Sequence, residues 1–217
     1  MLNLITSFLL LFSISAQAQQ PEIKGGLAAF LKSNIVYPNY SRQNCIQGAV
    51  DVGFKLNAKG EVYFSTINKG MGTDLDDEAL RLIRLTSGKW IIPTTHDSLA
   101  LIVVKVNFSL SGFDCASKDK REIAQAIAAY KAEEEMAAVV SNFYKNKEKG
   151  TFKPEDEAKI LRIKNELEIT DEYLANKIEA GLKKIKQGDK QGACEDFNFV
   201  KYMGSDKADE MLAKYCN

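Results

Sequence analysis

Histidine and tryptophan each occur once in this chain, and proline only four times in 217 residues. With His96 as the sole imidazole, paired-histidine metal sites are excluded and only one candidate for a neutral-pH proton shuttle is left. His96 itself lies in a polar Thr94-Thr95-His96-Asp97-Ser98 turn with no nucleophile motif beside it. Glycine-rich phosphate loops and nucleophile elbows are missing too, so no catalytic residue, no metal ligand and no cofactor is assigned. Charge of either sign is not in excess: Lys plus Arg and Asp plus Glu both total 29. That balance lacks the basic footprint of a nucleic-acid binder. The carboxylates sit at expected helix starts and on solvated faces, the Glu133-Glu134-Glu135 run included.

The first 18 residues carry no charge at all. Leu4 to Ile14 is an apolar run, and Ala16-Gln17-Ala18 places small residues where a signal peptidase reads. Residues 1–18 are therefore expected to be an export signal, with the mature chain starting at Gln19 and residing in the periplasm. No Lys or Arg precedes the run, so either the start lies upstream or the signal is atypical. No later segment approaches the ~20 apolar residues of a membrane-spanning helix.

Composition changes near residue 114. Before it, short apolar alternations are punctuated by Gly, Pro and Asn. Gln47–Leu56 places Val50, Val52, Phe54 and Leu56 on one side, predicting a half-buried strand. Asn57-Ala58-Lys59-Gly60 predicts a turn, with Gly60 at positive φ, and Glu61–Ile67 returns as a second strand. Asp74–Leu85 predicts a helix with Asp74, Asp76, Asp77 and Glu78 in its first turn, where the dipole favours anions. Trp90–Ile92 restarts extended chain, and Ile102–Leu110 predicts a third strand with Val104, Val106, Phe108 and Leu110 inward. After residue 114 the spacing is helical. Residues 118–146 carry an apolar stripe, Pro154 and Thr170 open helices, Gly188 and Gly204 end them, and Ser205 caps the last.

In the first half, Gly25-Gly26, Phe30-Leu31, Asn34-Ile35 and Tyr37-Pro38 stand in order before Ile46-Gln47-Gly48-Ala49-Val50, Phe54 and Gly60-Glu61-Val62. Leu75-Asp76, Glu78-Ala79-Leu80-Arg81, Trp90 and Pro93 complete the series. This ordered set resembles the C-terminal domain of TonB, especially in Bacteroidetes-type envelope proteins. The likeness spans about residues 22–112. It implies an α+β fold: a three-stranded antiparallel sheet packed by two helices. Thr94-Thr95 depart from the family's usual Gly after the Pro93 position. A cleavable signal and four prolines replace the family's membrane helix and Pro-rich reach, which puts direct energy transduction in doubt. The second half resembles tetratricopeptide-type helical hairpins, through Leu182, Gly188-Asp189, Gly192-Ala193-Cys194, Asp196, Gly204, Ala208 and Tyr215-Cys216. About one and a half repeats are visible, fewer than the three or so of a free-standing solenoid. The expected organisation is 1–18 signal, 19–115 TonB-like domain, 116–149 connecting helix and 150–217 helical region.

Four cysteines in an exported chain allow three disulfide connectivities. A helical hairpin about Gly204-Ser205 sets Cys194 against Cys216. Pairing Val50 with Leu110 and Val52 with Phe108 sets Cys45 and Cys115 just beyond the strand ends in the same register. The expected bridges are Cys45–Cys115 and Cys194–Cys216.

Two functions compete. In the first, an extended segment of a TonB-dependent outer-membrane receptor adds to the sheet edge, an auxiliary role in outer-membrane transport. With the third strand at an edge, the resemblance points to Asn34 and to Ile102, Val104, Lys105, Val106, Asn107, Phe108 and Ser109. Lys105 reads equally well as a guard against aggregation. In the second, the chain is an envelope scaffold that binds other proteins through its helices, with no role in transport.

Overall fold

The computed structural model describes residues 20–115 and 117–216. The expected signal, the mature start at Gln19 and residue 116 lie outside the described residues. The chain forms an α+β unit followed by an all-helical region.

The strand β1 (Glu22–Ile23) precedes α1 (Leu27–Asn34) and α2 (Asn39–Gln43), and then β2 (Gly48–Leu56) turns into β3 (Val62–Lys69). Next come α3 (Asp74–Arg84), β4 (Trp90–Ile91) and β5 (Ile102–Phe108). The sheet order is β3-β2-β5, antiparallel throughout. The expected three-stranded antiparallel sheet with its helices is present, and beside it a separate ribbon pairs β1 with β4. Pro38 is the N-cap of α2.

The alternation of β2 does what its spacing predicts. Val50, Val52, Phe54 and Leu56 are fully buried and pack with Leu75, Ala79, Leu82 and Ile83 of α3. Trp90 closes this core, its ring 5.3 Å from Phe54, with its indole N–H donating to Thr86 Oγ1 at 2.7 Å. The carboxylates of α3 do more than answer a dipole. Asp74 Oδ2 accepts from Tyr40 N–H at 3.1 Å and so caps α2, while Asp76 accepts from Met71 and Gly72 N–H, each at 2.8 Å. At Gly48, where β2 begins, an added Cβ would lie 2.7 Å from Met71 Sδ. Gly60 has the expected positive φ, 76°, with the Trp90 carbonyl oxygen 2.4 Å from where a Cβ would sit.

The strand register is corrected by four residues. Val50 faces Val106 and Val52 faces Val104, and β5 ends at Phe108, not Leu110. A shift by an even number leaves the same side chains inward, so the apolar pattern cannot choose between the two registers. The disulfide Cys45–Cys115 forms nevertheless, with Cα atoms 5.6 Å apart. Past Phe108 the chain stays beside the start of β2, where Leu110 N–H donates to Gln47 Oε1 at 2.8 Å.

The helical region starts with α4 (Lys120–Glu148), and a 3-10 turn (Pro154–Asp156) leads to α5 (Glu157–Glu166). Then follow α6 (Asp171–Lys186), α7 (Lys190–Tyr202) and α8 (Asp209–Tyr215). Ile123, Ala126 and Ile127 of α4 pack on the sheet core, whereas Val140 and Phe143 join a second core with Ile160, Leu174, Phe197 and Val200. The last helix starts later than expected: Ala208 is its N-cap, and Ser205 Oγ only accepts from Lys207 N–H at 3.4 Å. The Gly204 turn is packed by Tyr144, which leaves no room for a Cβ. Cys194–Cys216 ties α7 to the end of α8, with Cα atoms 5.7 Å apart.

One cysteine carries a backbone role that its spacing did not suggest. Cys45 has φ of 54° and ends α2 as glycine usually does. Ile46 N–H donates to Ser41 O at 2.8 Å and Cys45 N–H to Arg42 O at 3.3 Å, closing the helix end. Removing the bridge as Cys45→Ala/Cys115→Ala should cost about 2–4 kcal/mol. Cys45→Gly/Cys115→Ala should recover about 1 kcal/mol of that loss, since glycine adopts positive φ freely. Urea unfolding of the two variants checks this, and equal stabilities would contradict it.

Candidate functional site

A three-stranded sheet has two edges, and here they meet different fates. At β3 the chain covers its own edge. Gln191 of α7 lies against Ser65, 126 positions earlier. Ser65 N–H donates to Gln191 Oε1 and Gln191 Nε2 donates to Ser65 O, both at 2.8 Å. The side-chain amide thus makes the pair of bonds that a neighbouring strand would make.

Arg84, the last residue of α3, holds this arrangement. Its side chain is 7% exposed and donates through Nε to Ser65 Oγ at 2.8 Å. Its two terminal nitrogens donate to Glu195 Oε2 at 2.8 Å and Oε1 at 2.7 Å, a bidentate fork. Asp189 stands 3.8 Å from Arg84 Nε and caps α7 by accepting from Gly192 N–H at 2.7 Å. Burial pushes the Asp189 carboxyl above its usual range, against the lowering pull of Arg84 and the Gly192 N–H. A cleft of about 630 Å³ opens next to this cluster, between Tyr63, Ser87 and the Gln187–Gln191 corner.

At β5 no strand pairs with the outer side among the described residues. The outward-facing backbone groups follow from the ladder. Ser65 turns its N–H and C=O away from β2, so Phe64 and Thr66 turn theirs toward it, opposite Lys55 and Gly53. Val52 and Phe54 therefore bond to β5, at Val104 and Ile102. Val103, Lys105 and Asn107 are left with N–H and C=O directed outward. Leu110 N–H, bonded on the β2 side, has the parity this requires.

The expected site residues divide accordingly. Val106 and Phe108 are buried, and Ile102 and Val104 half-buried, on the helix-covered face. Lys105 and Asn107 are exposed and own the free edge together with Val103, which the sequence did not single out. Lys105 stands opposite Asp51 of β2. Ser109 is exposed but lies past the end of the strand. Asn34 is drawn into the helix layer: its side-chain amide donates to Phe30 O at 2.8 Å, and its backbone carbonyl accepts from Arg81 Nη2 at 2.8 Å. The neighbouring Tyr37 reaches β5 instead, with its ring edge-on to Phe108 at 6.0 Å. Burial, aided by Asp74, raises the Tyr37 hydroxyl to about 12. His96 is placed structurally, Nε2 3.1 Å from Leu56 O. Gln191, Arg84, Asp189, Glu195 and Ser65 form a cluster that sequence reasoning missed, because nothing local links residue 65 to residue 191.

The chain is thus a small α+β domain with one open sheet edge and an appended helical region. Residues 33–110 match the family model described as Gram-negative bacterial TonB protein C-terminal, and this segment is a TonB C-terminal domain. No curated protein and no solved structure matches the chain. Both expected disulfides are present, which fits the cell envelope. Among the described residues no helix is long and apolar enough to cross a membrane, and no group of three or more His, Cys, Asp or Glu is arranged to hold a metal.

Glu195 is half-exposed, so Glu195→Ala should cost only about 1–2 kcal/mol. Arg84→Met strands Asp189 and Ser65 and should cost about 3–5 kcal/mol. Adding Asp189→Asn to Arg84→Met should restore part of that loss. A thermal or urea double-mutant cycle reads the coupling, and strict additivity would show that the two side chains act independently.

Proposed function

We propose that this chain is a periplasmic, non-enzymatic protein-binding module that takes an extended segment of a partner at the outer edge of β5. The partner we favour is a TonB-dependent outer-membrane receptor, which would make the chain auxiliary to transport across the outer membrane. The observation that carries this reading is the asymmetry of the edges: β3 is closed by Gln191, whereas Val103, Lys105 and Asn107 present unpaired backbone groups on β5. Backbone pairing supplies the contact in this mode of recognition, and side chains at alternate positions supply selectivity. The TonB C-terminal domain at residues 33–110 supports receptors as the partner class. On this reading the unit comprises residues 19–115, the connecting helix 116–149, and a tetratricopeptide-like region from 150 to 217.

A second reading makes the chain an envelope scaffold with no part in transport. It is favoured by a groove of about 470 Å³ between α4 and α5, lined by Val139, Phe143, Phe152, Ile160 and Ile163.

Titration with receptor plug-segment peptides, followed by amide shifts or hydrogen exchange, separates the two. The first reading expects protection at Val103, Lys105 and Asn107. Asn107→Pro deletes one outward N–H and leaves the β2 ladder intact, so it should weaken peptide binding about tenfold or more while the fold persists. Peptides that leave β5 unshifted, or protect the α4–α5 groove instead, defeat the first reading.

A further inference from the structure

The two edge strands differ in how they resist pairing with copies of themselves. β5 reads Ile102-Val103-Val104-Lys105-Val106-Asn107-Phe108, with a lysine at its midpoint. Two such strands pairing about that midpoint set two ammonium groups side by side, which opposes association. β3 carries no such charge at its midpoint, and the two irregularities in its pairing with β2, at Tyr63 and Asn68, leave Phe64 to Ile67 regular between them. Val62 to Asn68 is a run of seven residues without charge, proline or glycine, and the first charge, Lys69, is the strand's last residue. Val62, Tyr63, Phe64, Thr66 and Ile67 are strong strand formers, the composition of a segment that pairs readily with itself.

We propose that the helical region is a strand-mimicking cover, and that Gln191 blocks the pairing of β3 with β3 of a second copy of this chain. A primary amide offers the same donor and acceptor as a peptide group, and Gln191 uses both on Ser65 at 2.8 Å. Its orientation is held from behind, since Nε2 also donates to Glu195 Oε1 at 3.1 Å. Arg84 grips both partners of this contact, through Ser65 Oγ on the strand and the Glu195 carboxylate on the helix. The cover therefore sits at the middle of the uncharged run, where a lysine sits in β5. The occupant it excludes is a second copy, because an uncharged strand meets no like charge when it pairs with itself. The inference is independent of what docks at β5.

The test uses the full chain with Gln191→Leu, alone and with Glu195→Ala. At the lowest protein concentration the Ser65 amide should exchange about tenfold faster or more than in the wild type. With rising concentration, sedimentation should show the variant moving from the wild-type mass toward twice that mass. Adding Thr66→Lys places a charge on β3 beside the opened position, as Lys105 does on β5. It should return the mass to the wild-type value while Ser65 exchange stays fast. A misfolded, sticky variant would not be rescued this way. The proposal fails if Ser65 exchange is unchanged, if the opened variant keeps the wild-type mass, or if Thr66→Lys leaves the association in place.

Discussion

Every backbone N–H and C=O in a sheet must find a partner in the protein or in water, and a three-stranded sheet leaves two rows of them unpaired. The arrangement of this molecule follows from how those rows are treated. β2, in the middle, is satisfied on both sides and carries the core residues Val50, Val52, Phe54 and Leu56. β3 borrows one side chain from a helix 126 positions away. β5 keeps its outer row for water or for a partner. The sheet is thereby made one-sided in its chemistry.

Arg84 is the joint on which that asymmetry turns. It ends α3, so the core packing of Leu82 and Ile83 brings it to the border of β3. There its guanidinium meets Ser65, Asp189 and Glu195. A buried guanidinium is stable only when its donors are used, and breaking one partner away leaves charge stranded. The two disulfides do not share this task. Cys45–Cys115 secures the end of α2 to the chain beyond β5, and Cys194–Cys216 lies wholly within the helical region. The coupling of sheet to helices rests on the Arg84 cluster and on α4, which contributes Ile123 and Ile127 to one core and Val140 and Phe143 to the other.

The polar residues of α3 show how one pattern serves several ends. Asp74 and Asp76 sit in the first turn, where the helix dipole accounts for them, yet Asp74 caps α2 and Asp76 fastens the Met71-Gly72 turn. Glu78 accepts from Val36 N–H at 2.7 Å and pairs with Arg81, which in turn holds the Asn34 carbonyl. This network explains why Asn34 belongs to the helix layer rather than to the open edge. Local spacing announces a helix start; which distant backbone groups the carboxylates satisfy depends on what the fold brings near them.

The sequence by itself determined the strand and helix periodicities, the inward faces of β2 and β5, the positive φ at Gly60 and the Cys194–Cys216 pairing; Cys45–Cys115 forms although the register that suggested it was four residues off. These are local or pattern-borne: alternation of period two, glycine at a tight turn, and helices hinged at short turns. Tertiary structure alone decided the strand register, because an even shift preserves every buried face. It alone also decided that Cys45 would end a helix at positive φ, and that Gln191 would stand in for a missing strand. Those outcomes depend on which surfaces meet once both cores are packed, and residues 65 and 191 carry no mark of each other until then.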